Sequence, residues 1–154
     1  MNITDHIKAL LASSSIPYRE VHHQPTHTSE ESAKARGEDI SIGGKAILMK
    51  VGEEYKLFVL SAARKIDSQK IKERFDTRRL RFATPEELLQ LTGLVPGSVP
   101  PFGRPILPFD LYLDGSVTKN DKIAFNAGSL TVSIIMSCRD YLGLVSPDVF
   151  DFSL

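Results

Sequence analysis

Lys45 follows Gly43-Gly44 and opens the run Ala46-Ile47-Leu48-Met49-Lys50-Val51, which has the composition of a strand. Strand side chains alternate between faces, so Lys45 shares its face with Ile47 and Met49, while Lys50 points the other way with Leu48. A lysine on the apolar side of a strand either reaches water along its own stem or meets an anion. Two glycine-bearing segments lie downstream: Gly97-Ser98-Val99-Pro100-Pro101-Phe102-Gly103 and Asn126-Ala127-Gly128-Ser129. A cation facing two such loops is a minimal apparatus for holding a phosphate or a polarised carbonyl, because loop amides and an ammonium both stabilise negative oxygen. On Lys45 alone, a snorkelling strand-end lysine is the commoner outcome.

Other chemistries fare worse. His22, His23 and His27 cluster, but adjacent strand residues point to opposite faces, so His22 and His23 do not readily share one ion. No metal is expected. A nucleophile elbow of the Gly-x-Ser-x-Gly kind is missing, and Ser129 has no histidine near it in sequence. Cys138 has Arg139 beside it, which would lower its pKa, although a buried inert thiol is commoner. No Gly-Lys-Ser/Thr follows a glycine run, so a P-loop is absent and no cofactor is implied.

The elements that must position Lys45 can be read from period and punctuation. Ile3, Ile7, Leu10 and Leu11 recur at helical spacing, capped by Asn2 or Thr4 and ending near Ser13-Ser14-Ser15. Residues 17–22 read as a short strand. Thr28-Ser29-Glu30-Glu31 is a capping box whose helix Gly37 terminates. Strands 44–51 and 55–62 around Gly52-Glu53-Glu54 form an expected hairpin. A helix from Asp67 or Ser68 to about Phe75 and a brief strand Leu80–Ala83 follow, then a second capping box, Thr84-Pro85-Glu86-Glu87, with its helix closed by Gly93. Residues 93–106 hold Gly93, Pro96, Gly97, Pro100, Pro101, Gly103 and Pro105, and read as a loop. Strands are expected at about 107–113, 116–118, 122–126 and 130–137, with Asp140 in a closing helical turn. This order predicts an α+β fold: one domain over residues 1–154, with a curved mixed β-sheet and surrounding helices.

The chain of 154 residues has ordinary soluble composition, and its 19 basic and 19 acidic side chains cancel. No overall attraction to nucleic acid follows. Locally, however, Arg64 to Arg81 carries eight basic side chains against three acidic ones, read either as a solvated helical face or as a landing surface for phosphates. The single cysteine fits a reducing compartment, and Met1–His6 lacks the basic and apolar regions of a signal peptide. Apolar runs are too short to cross a bilayer, so a cytoplasmic protein without membrane contact is expected.

Gly43-Gly44-Lys45-Ala46-Ile47-Leu48-Met49, the Gly97–Gly103 loop and Phe125-Asn126-Ala127-Gly128-Ser129 resemble the signature blocks of the YbaK/ProX aminoacyl-tRNA deacylases. That family includes the editing domain inserted in bacterial prolyl-tRNA synthetases. Supporting blocks are Tyr18, His23–Ser29, Arg81-Phe82-Ala83 before Pro85-Glu86-Glu87-Leu88, and Thr92-Gly93. The resemblance implies a trans-editing hydrolase of the ester at the 3′ end of mischarged tRNA, with alanine or cysteine on proline tRNA as the implied substrate. Its lysine maps onto Lys45, and its Gly-x-x-x-Pro loop onto Gly97 through Pro101. Amides of Gly97 and Ser98 would stabilise the oxyanion, and Ile47, Met49 and Pro101 would bound the amino-acid pocket. Tyr18, Gly128, Ser129 and Asp140 would also line the substrate site. The basic segment 64–81 becomes a candidate acceptor-stem contact, and a transient encounter with a synthetase is implied. The rival reading is a non-catalytic module of the same fold that holds a tRNA end, nucleotide or protein; a metal-dependent hydrolase at His22/His27 is more remote.

Overall fold

A computed structural model describes residues 2–154. Helix α1 (Ile3–Ser13) is capped by the Asn2 side chain, which accepts from the Asp5 amide, and buries Ile7 and Leu11. Strand β1 (Tyr18–His22) leads to α2 (Ser29–Arg36), where both halves of the Thr28/Glu31 capping box form and Gly37 is left-handed. A 3-10 turn, Ile40–Ile42, delivers the chain to β2 (Gly44–Val51), which pairs antiparallel with β3 (Glu54–Ser61). Helix α3 (Ser68–Phe75), β4 (Leu80–Phe82) and α4 (Pro85–Thr92) follow, the last with its full Thr84/Glu87 capping box and left-handed Gly93.

After the loop come β5 (Leu111–Leu113), α5 (Gly115–Thr118), β6 (Lys122–Asn126), β7 (Val132–Ser137), α6 (Cys138–Val145) and β8 (Asp148–Val149). Two expectations change here. The strand expected over 107–113 is only its last three residues, and residues 116–118 are helical. Asp114 accepts from the Ser116 amide, capping a helical turn where β-propensity alone suggested extended chain.

The α+β class holds, with the strands divided between two sheets. One is three-stranded, β1-β7-β6; the other is five-stranded and mixed, β4-β2-β3-β5-β8, with β5 parallel to both neighbours. A parallel bridge, Gly43 to Ala124, joins them. The main core lies between α1, α4, the loop and both sheets, and includes Leu48, Leu57, Phe102, Phe125 and Tyr141. A second cluster covers the other face of the five-stranded sheet: Met49, Phe58, Leu60, Ile71, Tyr112 and Phe152. No helix among the described residues is long and apolar enough to cross a membrane.

Candidate active site

Strand β4 pairs with β2 only at residues 49–51, and the Ala83 amide adds one bond to the Leu48 carbonyl at 2.9 Å. Between that point and the Gly43–Ala124 bridge, β2 has β3 on one side and no paired strand on the other among the described residues. The Ala62 amide bonds the Gly43 carbonyl at 2.8 Å, so by antiparallel alternation Gly43, Lys45 and Ile47 direct their backbone groups to β3. Ala46 directs its amide and carbonyl the other way, into a cleft of about 340 Å³. The cleft is walled by α2, the start of α4, the Pro96–Val99 loop and Asn126.

Lys45, Ile47 and Gly97 all line it. The Lys45 ammonium donates to the Arg64 carbonyl at 3.1 Å, leaving further donors free. Burial first, and then the neighbouring Lys65, hold its amine below the ordinary lysine range, with Glu30 opposing. Gly97 is left-handed at φ +88°, a conformation that disfavours any side chain. Its carbonyl accepts from the Asn126 side-chain amide at 2.8 Å. Gly97 and Val99 both face the cleft, and their own amides have no hydrogen-bond partner among the described residues.

Behind this wall lies a residue that sequence reasoning missed. Arg36 is 8% exposed and lines the cleft, yet its Nε and Nη2 bond neutral oxygens, Ser133 Oγ at 2.9 Å and Asn126 Oδ1 at 3.1 Å, rather than a carboxylate. Burial pushes the guanidinium down to about 10, a value at which it stays charged at neutral pH. Ser133 also donates to Asn126 and meets His23 Nε2 at 2.8 Å. One network thus runs from α2 through β7 and β6 to the Gly97 carbonyl. Thr26 and Ser32, both buried and bonded to each other at 2.8 Å, add a hydroxyl-bearing wall. In sequence, Arg36 sits among charged helical residues and reads as a solvated face; only the partner 97 residues away reveals it.

Seven other expected residues lie outside the cleft lining. Ser98 is 2% exposed, and its amide and hydroxyl both bond the Val95 carbonyl, so that amide is spent closing a turn. Met49 shares the Lys45 face of β2 but is 1% exposed, because α3 and the C-terminal aromatics cover the sheet from that point on. Pro101 is buried, its carbonyl taken by the Tyr141 hydroxyl at 2.6 Å. Gly128 packs on α1, where an added Cβ would lie 2.8 Å from Ile3 Cγ2. Ser129 bonds Thr131. Asp140 sits in the first turn of α6, and Tyr18 packs on the main core from β1. The Asn126–Ser129 corner therefore contributes Asn126, not its glycine.

Among the described residues no group of three potential metal ligands forms. His22 turns to Glu20 and His23 to Ser133, on different sides of the strand. The basic segment meets the cleft at its start, through the Arg64 carbonyl and Lys65. Further along, Arg74, Arg79 and Arg81 are held by Asp148, Glu53 and Glu87.

The sequence matches the family described as the aminoacyl-tRNA editing domain over residues 23–144. Multifunctional Ser/Thr-tRNA deacylase ProXp-y of Escherichia coli (strain K12) is 33% identical over 150 residues, covering 94% of this chain and 89% of the relative. Prolyl-tRNA editing protein ProX of Acetoanaerobium sticklandii is 23% identical over 145 residues, covering 91% and 88%. A crystal structure described as a candidate trans-editing enzyme for prolyl tRNA synthetase shares the fold, with a TM-score of 0.85 at 24% identity over 100% of this chain and 98% of that one. A match across most of the sequence, joined to the likeness to ProXp-y along nearly its whole length, decides the question: this chain belongs to the aminoacyl-tRNA editing domain family.

Proposed function

We propose that the cleft hydrolyses the ester between a small amino acid and the terminal ribose of a mischarged tRNA. One observation carries the reading: a half-buried ammonium, Lys45, shares a cavity with the unpartnered amides of Gly97 and Val99 and with the open backbone edge at Ala46. Water adds to the ester carbonyl carbon, and the carbonyl oxygen becomes an oxyanion as the tetrahedral intermediate forms. Amides already fixed in place stabilise that charge without reorganising. The acyl C–O bond then breaks, the ribose oxygen takes a proton, and the amino acid leaves as its carboxylate. Lys45 holds the ester or the adjacent phosphate in position. The free vicinal hydroxyl of the substrate's own ribose orients the water.

The alanine or cysteine expected on proline tRNA rests on resemblance alone. The Thr26/Ser32 hydroxyl pair on the cleft wall supports serine or threonine equally well, because a buried hydroxyl-bearing wall accepts a substrate hydroxyl that an apolar wall would leave unpaired. ProXp-y, named for Ser- and Thr-tRNA, is consistent with that wider set. On this reading the chain meets tRNA where the start of the basic segment adjoins Lys45, encounters the synthetase that made the error only in passing, and works in the cytoplasm.

The test is a panel of tRNAs charged with alanine, cysteine, serine, threonine and proline, offered to the wild type and to Lys45→Ala. Release of at least one amino acid by the wild type is expected, reduced about 10²–10³-fold or more in the variant with its melting temperature unchanged. Normal turnover by Lys45→Ala rejects the mechanism; binding without release by the wild type identifies a non-catalytic module instead.

A further inference from the structure

The cleft accounts for the acyl group and leaves the nucleobase beside it without a seat. Phe82 stands at its rim. It is 56% exposed and is the one aromatic among the exposed large hydrophobic side chains of the described residues. A scattered exposed apolar residue is ordinary, but this one is mounted on a rigid support. Its strand partner is Met49, its carbonyl accepts from Arg81 Nη1 at 3.3 Å, and the next amide, Ala83, bonds the Leu48 carbonyl. The capping box of α4 begins one residue later. The ring is thus exposed while the backbone beneath it is held on both sides.

Its direction is also set. Opposition to Met49 puts Phe82 on the sheet face that carries Ile47 and Lys45. From Met49 back to Lys45 is four residues of extended strand, about 13 Å at about 3.3 Å each, a span suited to one nucleoside bearing an acyl group. On the opposite sheet face, Lys50 and Arg81 line a separate depression with Arg78 and Arg79. Glu53 and Glu87 pair with Arg79 and Arg81, while Lys50 lies over the Tyr55 ring at 5.7 Å. A rigidly mounted, exposed aromatic ring at the rim of a cleft is a stacking surface for an unpaired base, because every base offers a π-face.

Resting on the deacylase reading above, we infer that Phe82 is the stacking platform for the terminal adenine of the substrate tRNA. The ring adds affinity for the end of the chain and takes no part in bond breaking. Phe82→Ala therefore lowers kcat/KM on the mischarged tRNA by about 5- to 150-fold, the measured range for losing one base–aromatic stack. The loss falls on KM with kcat at saturation unchanged, and Phe82→Trp restores it. The chain contains no tryptophan, so Phe82→Trp also installs a single fluorophore at the rim. Adenosine 5′-monophosphate should quench it, and ribose 5-phosphate, which carries the same charge without the base, should not. Wild-type KM in Phe82→Ala, a loss confined to kcat, or equal quenching by both compounds overturns the platform. If the wild type deacylates nothing, the parent reading fails, and the fluorescence comparison still decides whether a base stacks on this ring.

Discussion

In the proposed reaction Lys45 acts only while it carries a proton, and its surroundings make that proton easier to lose. Because burial and Lys65 hold the amine below the ordinary value of about 10.4, the ammonium disappears at a lower pH than for a free lysine. Enzyme-catalysed deacylation, corrected for spontaneous ester hydrolysis, should therefore fall as pH rises through that depressed pKa. A Lys45→Arg variant, whose charge persists, should lack this alkaline limb. On the same proposal Asn126 works one step back from the reaction, since it holds the Gly97 carbonyl while Arg36 and Ser133 hold its own oxygen. Removing it in Asn126→Ala frees the loop, and a tenfold fall in kcat/KM, about 1.4 kcal/mol, is the expected minimum in single-turnover assays. Lys45 was legible because a charge on the apolar face of a strand is anomalous within its own few residues. Arg36 was not, because a helix ending in charged residues looks the same whether the last one meets water or Ser133.

Two glycines before Lys45 let its strand reach the second sheet. A Cβ on Gly43 would stand 2.9 Å from Ala62 Cβ and 3.2 Å from the Ile40 carbonyl, neither of which can swing aside. The bridge from Gly43 to Ala124 is what seats β2 against β6, and hence Lys45 near Asn126. Gly43→Val should cost about 1–3 kcal/mol in urea unfolding through overpacking, and should lower kcat/KM even where the variant remains folded. Wild-type stability would show that the seam has slack. Both capping boxes and the 44–62 hairpin could be read directly, since each is a contract between residues a few positions apart. The turn at 116–118 was misread because its cap, Asp114, serves distant backbone as well.

That aspartate ties the molecule together. It is 1% exposed and accepts from the amides of Ser116, Phe152 and Ser153 and from the Ser153 hydroxyl, pinning the chain's last residues beneath the five-stranded sheet. Burial pushes its carboxyl up, but hydrogen bonds from Ser116, Phe152 and Ser153 together outweigh that and hold it below the usual carboxylate range. A carboxylate with a depressed folded pKa contributes stability that is complete above its unfolded value, near 3.9, and is lost as pH falls through the folded one. Asp114→Asn should therefore cost about 3 kcal/mol at pH 7. The gap to wild type should narrow in unfolding measurements below about pH 4. A constant gap across that range would mean that the charge is not what the buried amides recognise.

Local chemistry alone was enough for the helices and strands up to Thr92, the α+β class and the anomalous lysine, because propensity, capping and alternation act over a handful of residues. Which loop atoms are free could be learned only from the folded chain. Ser98 spends its amide on Val95, Gly128 turns to α1, and Met49 lies under aromatics contributed from the C-terminus. Arg36, Asn126 and the bare edge of β2 became a site by the same route. Each depends on hydrogen bonds or vacancies between segments far apart in sequence, and no period or motif encodes where two such segments meet.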